Sequence, residues 1–276
     1  NSIFYKLHPG SYTPESDQSL VARDVLPAEQ AVESALYIGD QYELTSNLSV
    51  NAGLRYSFFN YLSPHDVYNY APGLPKSLNT LRDTTAYTGT KIINTYHGPE
   101  IRLAARYSLS DNASIKASYN TLRQYIHMLS NTTIISPTDV WKLSDPHIKP
   151  QLGSQFSLGY YHNFKSNTIE TSVEFYYKRM KNYLDYKSGA SIVLNRHIET
   201  DVIGTKGRAY GAEFMVKKSS GKMNGWISYT YSKTQLKMDD SLAGETINKG
   251  NYYPANFDKP HNVNVICNYR FSHRYS

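Results

Sequence analysis

The chain has one cysteine, Cys267, and two tryptophans in 276 residues. A single thiol excludes an internal disulfide framework and a cysteine zinc site. No apolar run approaches the roughly 18 residues a membrane-spanning helix requires, so a helical membrane protein is excluded. The helical period of 3.6 is nearly absent too. No charged leader with an apolar core opens the sequence at Asn1. The expectation is a chain whose export signal has been removed or that begins inside a longer protein. Charge of one sign is not concentrated either: the formal charge is +6, but the bases are scattered. The densest groups (Lys178, Arg179 and Lys181, then Lys217 and Lys218) fall at strand ends, where solvated side chains explain them, and nucleic acid is not an expected partner.

Recognisable catalytic chemistry is also missing. There is no nucleophile elbow, phosphate loop or Cys–His pairing. The nine histidines are dispersed without ligand spacing, so no metal is expected, and no cofactor is implied. Glu170 and Glu174 share a strand face but lie about 13 Å apart in an extended chain, too far for a glycosidase pair. The Asn131-Thr132-Thr133 acceptor pattern for glycosylation is common by chance. The chain does not read as an enzyme.

Tyrosine is what the sequence has in excess, with 26 beside 9 Phe. A buried tyrosine must find a partner for its hydroxyl, so this excess suits a surface apolar on one side and wet on the other. Mean hydropathy is −0.54, which a transmembrane barrel tolerates because its strands alternate lipid-facing and lumen-facing residues. Period-2 alternation recurs along the chain. Leu48, Val50, Ala52, Leu54, Tyr56 and Phe58 oppose Ser49, Asn51, Gly53, Arg55 and Ser57. The same pattern returns from Ile101, Ala113, Phe156, Ile169, Tyr210, Ile227 and Val263, with a less regular strand around Ala35 to Leu44. About nine strands result, many near the 9–11 residues that cross a membrane when tilted.

The connections between them alternate in length. Tight ones at 45–47, 110–112, 165–167 and 219–222 are rich in Asn, Asp, Ser and Gly. Long ones cover roughly 60–98, 123–152, 182–205 and 237–259. An up-and-down antiparallel sheet sorts such connections to opposite ends, as outer-membrane barrels do with short periplasmic turns and long extracellular loops. Aromatics near the strand ends, among them Tyr56, Phe58, Tyr119, Tyr177 and Tyr210 at one end and Tyr107, Phe164 and Tyr269 at the other, fit two interfacial belts. The expected fold is all-β, an antiparallel transmembrane β-barrel. Leu54, Leu103, Ile115, Leu158, Val173 and Val265 should face lipid, and Arg106, Lys116, Glu174 and Glu213 the lumen, since a one-residue slip would invert every face.

Several stretches in this order resemble the barrel of TonB-dependent outer-membrane receptors of the Bacteroides type. They are 37–42 followed by 51–56, 124–131 followed by 137–141, 148–151 before 155–160, 207–214, and 253–262 with its Asn-Phe-Asp-Lys-Pro-His-Asn turn. The resemblance spans almost the whole chain and implies a bacterial outer-membrane location. It also implies a complete barrel of about 22 strands around a plug. Residues 1–276 are then a partial barrel domain lacking the plug and the C-terminal strands, with the strand near Ala35 pairing to an earlier strand outside the chain. The implied activity is TonB-energised uptake of a nutrient, whether glycan, peptide, or iron or cobalamin complex. The implied partners are the TonB complex through the plug region, outer-membrane lipid and a surface lipoprotein.

Loop tips on a rigid scaffold carry recognition. Tyr125, His127, Trp141 and His147 in one long connection, and Tyr68 and Tyr70 in another, are the candidate ligand contacts. Aromatics that pack the loops against each other are an equal reading. A passive porin or structural barrel is the rival function, separated by the presence of a plug. A soluble carbohydrate-binding β-domain is a third, separated by partitioning between detergent and buffer.

Overall fold

The computed structural model describes residues 1–8, 11–13, 16, 24–130, 139–164, 167–192, 195–238, 240 and 242–271. The Asn131 acceptor pattern, Lys165 and Ser166 of the third tight turn, and the terminal Ser272 to Ser276 lie outside these residues.

The short strands β1 (Ser2–Leu7), β2 (Ser11–Tyr12) and β3 (Asp24–Val25) come first, then the long β4 (Glu29–Thr45) and β5 (Leu48–Leu62). The hairpin strands β6 (His65–Tyr70) and β7 (Leu81–Tyr87) precede β8 (Ile92–Ser110) and β9 (Ala113–Gln124). A second hairpin, β10 (Ile126–Leu129) and β11 (Val140–Leu143), leads to β12 (Gln151–Phe164) and β13 (Ile169–Tyr186). The chain then forms β14 (Val202–Lys218), β15 (Met223–Lys237), the two-residue β16 (Tyr253–Pro254) and β17 (His261–Tyr269).

One sheet runs β1-β4-β5-β8-β9-β12-β13-β14-β15, with β16 and β17 both along β15, and every pair is antiparallel. Each long strand pairs with the next long strand in sequence, as a meander with alternating tight and long connections must. The nine alternating segments are β4, β5, β8, β9, β12, β13, β14, β15 and β17. Two features differ from the sequence reading. The partner of β4 lies partly inside the chain, since β1 pairs with Glu29 to Ser34. Alternation in 2–7 is too short to stand out. The long connections also carry structure of their own, in the β6–β7 and β10–β11 hairpins.

The tight turns follow their residue chemistry. The Thr45 hydroxyl accepts from the amides of Asn47 and Leu48 at 3.3 and 3.0 Å. Asn167 and Gly221 take the left-handed backbone, at φ 66° and 100°, that their residue types favour. The described turn residues sit at one end of the sheet and the described parts of the long connections at the other.

Register aligns the two faces into continuous rows. Leu103, Tyr119, Phe156, Tyr177 and Tyr210 form one row across five strands. Tyr107, Ile115, Tyr160, Val173, Phe214, Tyr229 and Val263 form another on the same face. These side chains are not covered: Leu36 and Ile38 are 74% and 75% exposed, and Leu54, Leu103, Leu158 and Val265 are exposed too. An apolar area of this extent on a soluble domain would be a binding or aggregation surface. From Ile169 to Tyr177 the strand runs about 26 Å, or about 20 Å of depth at a tilt of roughly 40°, comparable to the apolar band of an outer-membrane barrel.

The opposite face is polar in its middle and packed only at the loop end. There Ala31, Phe59, Tyr61, Tyr125 and Leu143 form a buried cluster, with Leu129, Ile148, Ile192, Ile198 and Val202 beside it. Two close approaches on this face need glycine. A Cβ on Gly211 would lie 2.4 Å from the Tyr231 carbonyl oxygen and 2.9 Å from the Tyr176 ring. A Cβ on Gly159 would meet the Tyr161 ring at 2.9 Å.

Candidate functional site

The β10–β11 hairpin folds onto the polar face of β4 and β5 rather than standing free. Its stem is tied by ring stacking, with Phe59 and Tyr125 at 4.7 Å and 6° between planes. The Tyr125 and Ser57 hydroxyls are hydrogen-bonded at 2.8 Å. His127 bonds Ser144 at 3.0 Å through Nε2, and both are buried. Burial lowers the His127 pKa to about 4, so the ring is neutral.

Beneath the hairpin lies a charged trio. Lys142 Nζ reaches Asp145 at 2.7 Å and also bonds the Glu29 carboxylate, which accepts in addition from the Leu143 amide at 2.9 Å. All three are buried. Burial acts to discharge Lys142, but the carboxylates of Asp145 and Glu29 outweigh it and hold its pKa above the usual value. Burial likewise opposes ionisation of Asp145, yet Lys142 and the amides of Ile148 and His147 keep that carboxyl below its ordinary range. Glu29 goes the other way: burial raises it more than Lys142 lowers it. Lys142 therefore bridges two carboxylates, of which Glu29 is the easier to protonate.

The other candidates gather next to this trio. His147 Nε2 lies 2.7 Å from the Tyr68 carbonyl, and the Tyr70 hydroxyl donates to Glu199 at 2.6 Å. The Tyr68 ring sits 4.2 Å from that of His197, and Tyr70 meets His147 edge-on. Trp141 is half exposed at the rim of a cleft whose walls include His65, Tyr68, Lys142, His147 and Glu199. Among the described residues His65 Nδ1 is buried there without a hydrogen-bond partner, and behind Tyr68 the buried His197 Nδ1 stands 3.9 Å from the Glu199 carboxylate. Burial lowers the His65 pKa to about 4. The cleft holds about 60 Å³ of open space, room for a few waters rather than a ligand of several hundred Å³. Tyr125 and His127 thus lie inside the packing, whereas Trp141, Tyr68 and His147 border the cleft. Sequence reasoning passed over Lys142, Asp145 and Glu29. The Lys-x-x-Asp spacing beside Trp141 is a faint local signal, but Glu29 joins it from 113 residues away.

Nearer the turn end, the same polar face carries a row of opposite halves. Arg106 is directly across from Lys116, Lys116 from Gly159, Gly159 from Glu174, and Glu174 from Glu213. All four charged residues therefore share one face and one row, with bases on β8 and β9 and acids on β13 and β14. Higher on that face Arg55 bonds Glu33 at 2.6 Å and also Glu100, and Tyr5 donates to Glu33 at 2.9 Å. Among the described residues no group of three or more His, Cys, Asp or Glu is placed to hold a metal ion, and no helix is long and apolar enough to cross a membrane.

A family profile described as TonB dependent receptor-like, beta-barrel, matches residues 4–275. Among solved structures, the chain is similar to the ferric-catecholate import receptor Fiu from K12 E. coli in its closed form, at 14% identity and TM-score 0.56, covering 99% of this chain and 38% of that one. It is similar to the alcaligin outer-membrane receptor FauA from Bordetella pertussis, at 14% identity and TM-score 0.54, covering 92% and 37%. A third is the ferripyoverdine receptor of the outer membrane of Pseudomonas aeruginosa, bound to ferripyoverdine, at 15% identity and TM-score 0.55, covering 93% and 29%. The chain thus spans roughly a third of the length of these structures, and at such identities the likeness concerns the fold. No curated protein sequence matches it. With its meander, its sorted turns and its apolar face, the chain belongs to the TonB-dependent receptor-like β-barrel family.

Proposed function

We propose that this chain is part of the wall of an outer-membrane receptor that takes up a nutrient with energy from TonB. The carrying observation is the joint placement of an exposed apolar face, a polar face, and loop hairpins folded over the polar face at one end. That arrangement fits a barrel with lipid outside, a lumen inside and the loop end toward the medium. In this reading Arg106, Lys116, Glu174 and Glu213 line the lumen, where a plug with complementary charges relieves the like-charged neighbours in their row. Trp141, Tyr68, Tyr70 and His147 contribute to ligand capture, and Tyr125 and His127 hold the hairpin that presents them. The barrel is completed by strands outside residues 1–276, and TonB acts through the plug. An unpaired sheet edge in lipid costs several kcal/mol per backbone group, so this wall requires those further strands. The ligand class extends from glycans and peptides to iron or cobalamin complexes, and a surface lipoprotein is a natural companion.

Deleting the gene for the complete receptor and growing cells on single limiting nutrients tests this reading. It expects loss of growth on one nutrient class, restored by the intact gene only while TonB is present. Restoration without TonB would instead make the protein a passive porin.

A further inference from the structure

The apolar face changes character abruptly at the loop end of β13, β14 and β15. Below, Tyr177 and Tyr210 are cross-strand neighbours with ring centroids 6.5 Å apart, and Lys233 is the next partner in that row. One step up the same face, Arg179 lies directly across from Arg208. Another step up, Lys181 faces Lys206, and Lys206 faces Lys237. Six cations therefore occupy a patch about 10 Å wide and about 13 Å tall. No Asp or Glu stands on the apolar-face positions of these strands between Ile169 and Lys181, Lys206 and Lys218, or Met223 and Lys237. Their acids, Glu170, Glu174 and Glu213, are all on the opposite face.

Like charges directly opposite each other in a sheet are destabilising, and this patch stacks three such pairs. Lys206 and Lys237 have contacts of their own. The two arginines are held by neutral groups. Arg208 Nε donates to Gln235 at 3.0 Å while its guanidinium stacks 3.9 Å from the Tyr252 ring. Arg179 sits 5.5 Å from the Tyr177 ring. Both planes thus lie against aromatics, and among the described residues their terminal N–H groups have no hydrogen-bond partner. Fixed guanidinium forks next to mobile ammonium groups match the oxygens of a phosphate.

We infer that this patch binds the phosphate-bearing headgroup of a lipid of the surrounding outer leaflet, the acyl chains lying along the tyrosines and aliphatics below. The inference rests on the reading that the apolar face meets lipid. Charge complementarity names the headgroup, and continuity with the apolar face makes its carrier a lipid rather than free phosphate. Solvated strand ends would explain scattered lysines, but not Arg179, Lys181, Arg208 and Lys233 set together with no acid on the described apolar-face positions of these strands.

The test uses the complete receptor purified in detergent and titrated, under native mass spectrometry, with bis-phosphorylated lipid A and with the same lipid dephosphorylated. The phosphorylated form should bind about tenfold more tightly or better, since each base near a membrane surface contributes about 1 kcal/mol. Inorganic phosphate at equal concentration should not displace it. The combined change Arg179→Gln, Lys181→Gln, Arg208→Gln and Lys233→Gln should remove that preference while leaving the dephosphorylated lipid's binding unchanged. If that variant does not insert, Arg179→Gln with Lys181→Gln, both exposed, should halve the preference or more on a logarithmic scale. Lys218→Gln, on the same face at the turn end, should leave it intact. Equal binding of both lipids, an unchanged preference in the variants, or full displacement by phosphate would overturn the headgroup site alone. Binding of neither lipid would overturn it together with the lipid-facing reading.

Discussion

His127 and His65 are side chains whose chemistry is strongly altered by position. His127 is buried and His65 half-buried with its Nδ1 enclosed, and burial holds both neutral, with pKa values lowered from 6.5 to about 4. A histidine whose folded value is depressed contributes fully above its unfolded value, and that contribution is lost as pH falls toward the folded one. The loop-end packing is therefore expected to weaken between about pH 6.5 and about pH 4, by up to about 3 kcal/mol per ring. Hydrogen exchange of 126–129 and 140–143 should accelerate across that window; protection that is flat from pH 7 to pH 4 would contradict it. Lys142→Ala should act at neutral pH, because it strands Asp145 and Glu29 in a buried site, at a cost of about 3–5 kcal/mol. The measurement is again local exchange in the hairpin, and an unchanged rate would contradict the trio's role. These residues show where the sequence stops being informative. Tyr125 and Trp141 are both aromatics in one long connection, and nothing local tells that the first stacks on Phe59 while the second stays half exposed. The difference comes from which side of the hairpin meets β5, which is a tertiary fact.

Strands were far more legible than connections. In β5, β8, β9 and β12 the period of two persists over several turns of the pleat, longest from Leu48 to Phe58, and the alternation fixes the register because a slip would move every apolar group to the polar face. β1 escaped notice, since its six residues offer too few alternations, and its partners in β4 are 22 residues or more away. The two loop hairpins escaped for a similar reason: their strands are short and their sides are decided by packing on the sheet. Two substitutions on β13 separate its faces. Val173→Arg puts a cation in the middle of the apolar face and should cost about 2–4 kcal/mol in a lipid-embedded receptor. Glu174→Gln, one residue on, should cost little or stabilise, because it relieves the Glu174–Glu213 contact across the strands. Urea unfolding of the complete receptor in lipid vesicles measures both, and the reverse order of effects would contradict the assignment of faces. On β14, Gly211→Val drives a side chain into the Tyr231 carbonyl and the Tyr176 ring, so it should impair insertion, seen as loss of the heat-modifiable form on gels.

The sheet as an assembly is a wall with three zones: a tyrosine-edged apolar exterior, a polar interior with a divided row of charge, and a loop end closed over that interior. The sorting of turns and loops was the feature of the sequence that announced it, because chain connectivity alone forces short and long connections to opposite ends of a meander. The ligand was not legible, since recognition would depend on loop tips whose mutual packing is set over long separations, as with Tyr70 and Glu199, 129 residues apart. Everything functional in this account depends on which face meets lipid, and one experiment reads that directly. In the complete receptor in outer membranes, with Cys267 replaced by serine, single cysteines are placed at each position from Ser114 to Tyr119 and from Ser157 to Tyr161, Gly159 excepted. Thiols at Ile115, Ala117, Tyr119, Leu158 and Tyr160 should report a lipid environment, through a fluorophore quenched by brominated lipid. Thiols at Ser114, Lys116, Ser118, Ser157 and Tyr161 should escape that quenching. The account predicts this two-residue rhythm with this phase on both strands; the opposite phase, or no rhythm, would contradict it.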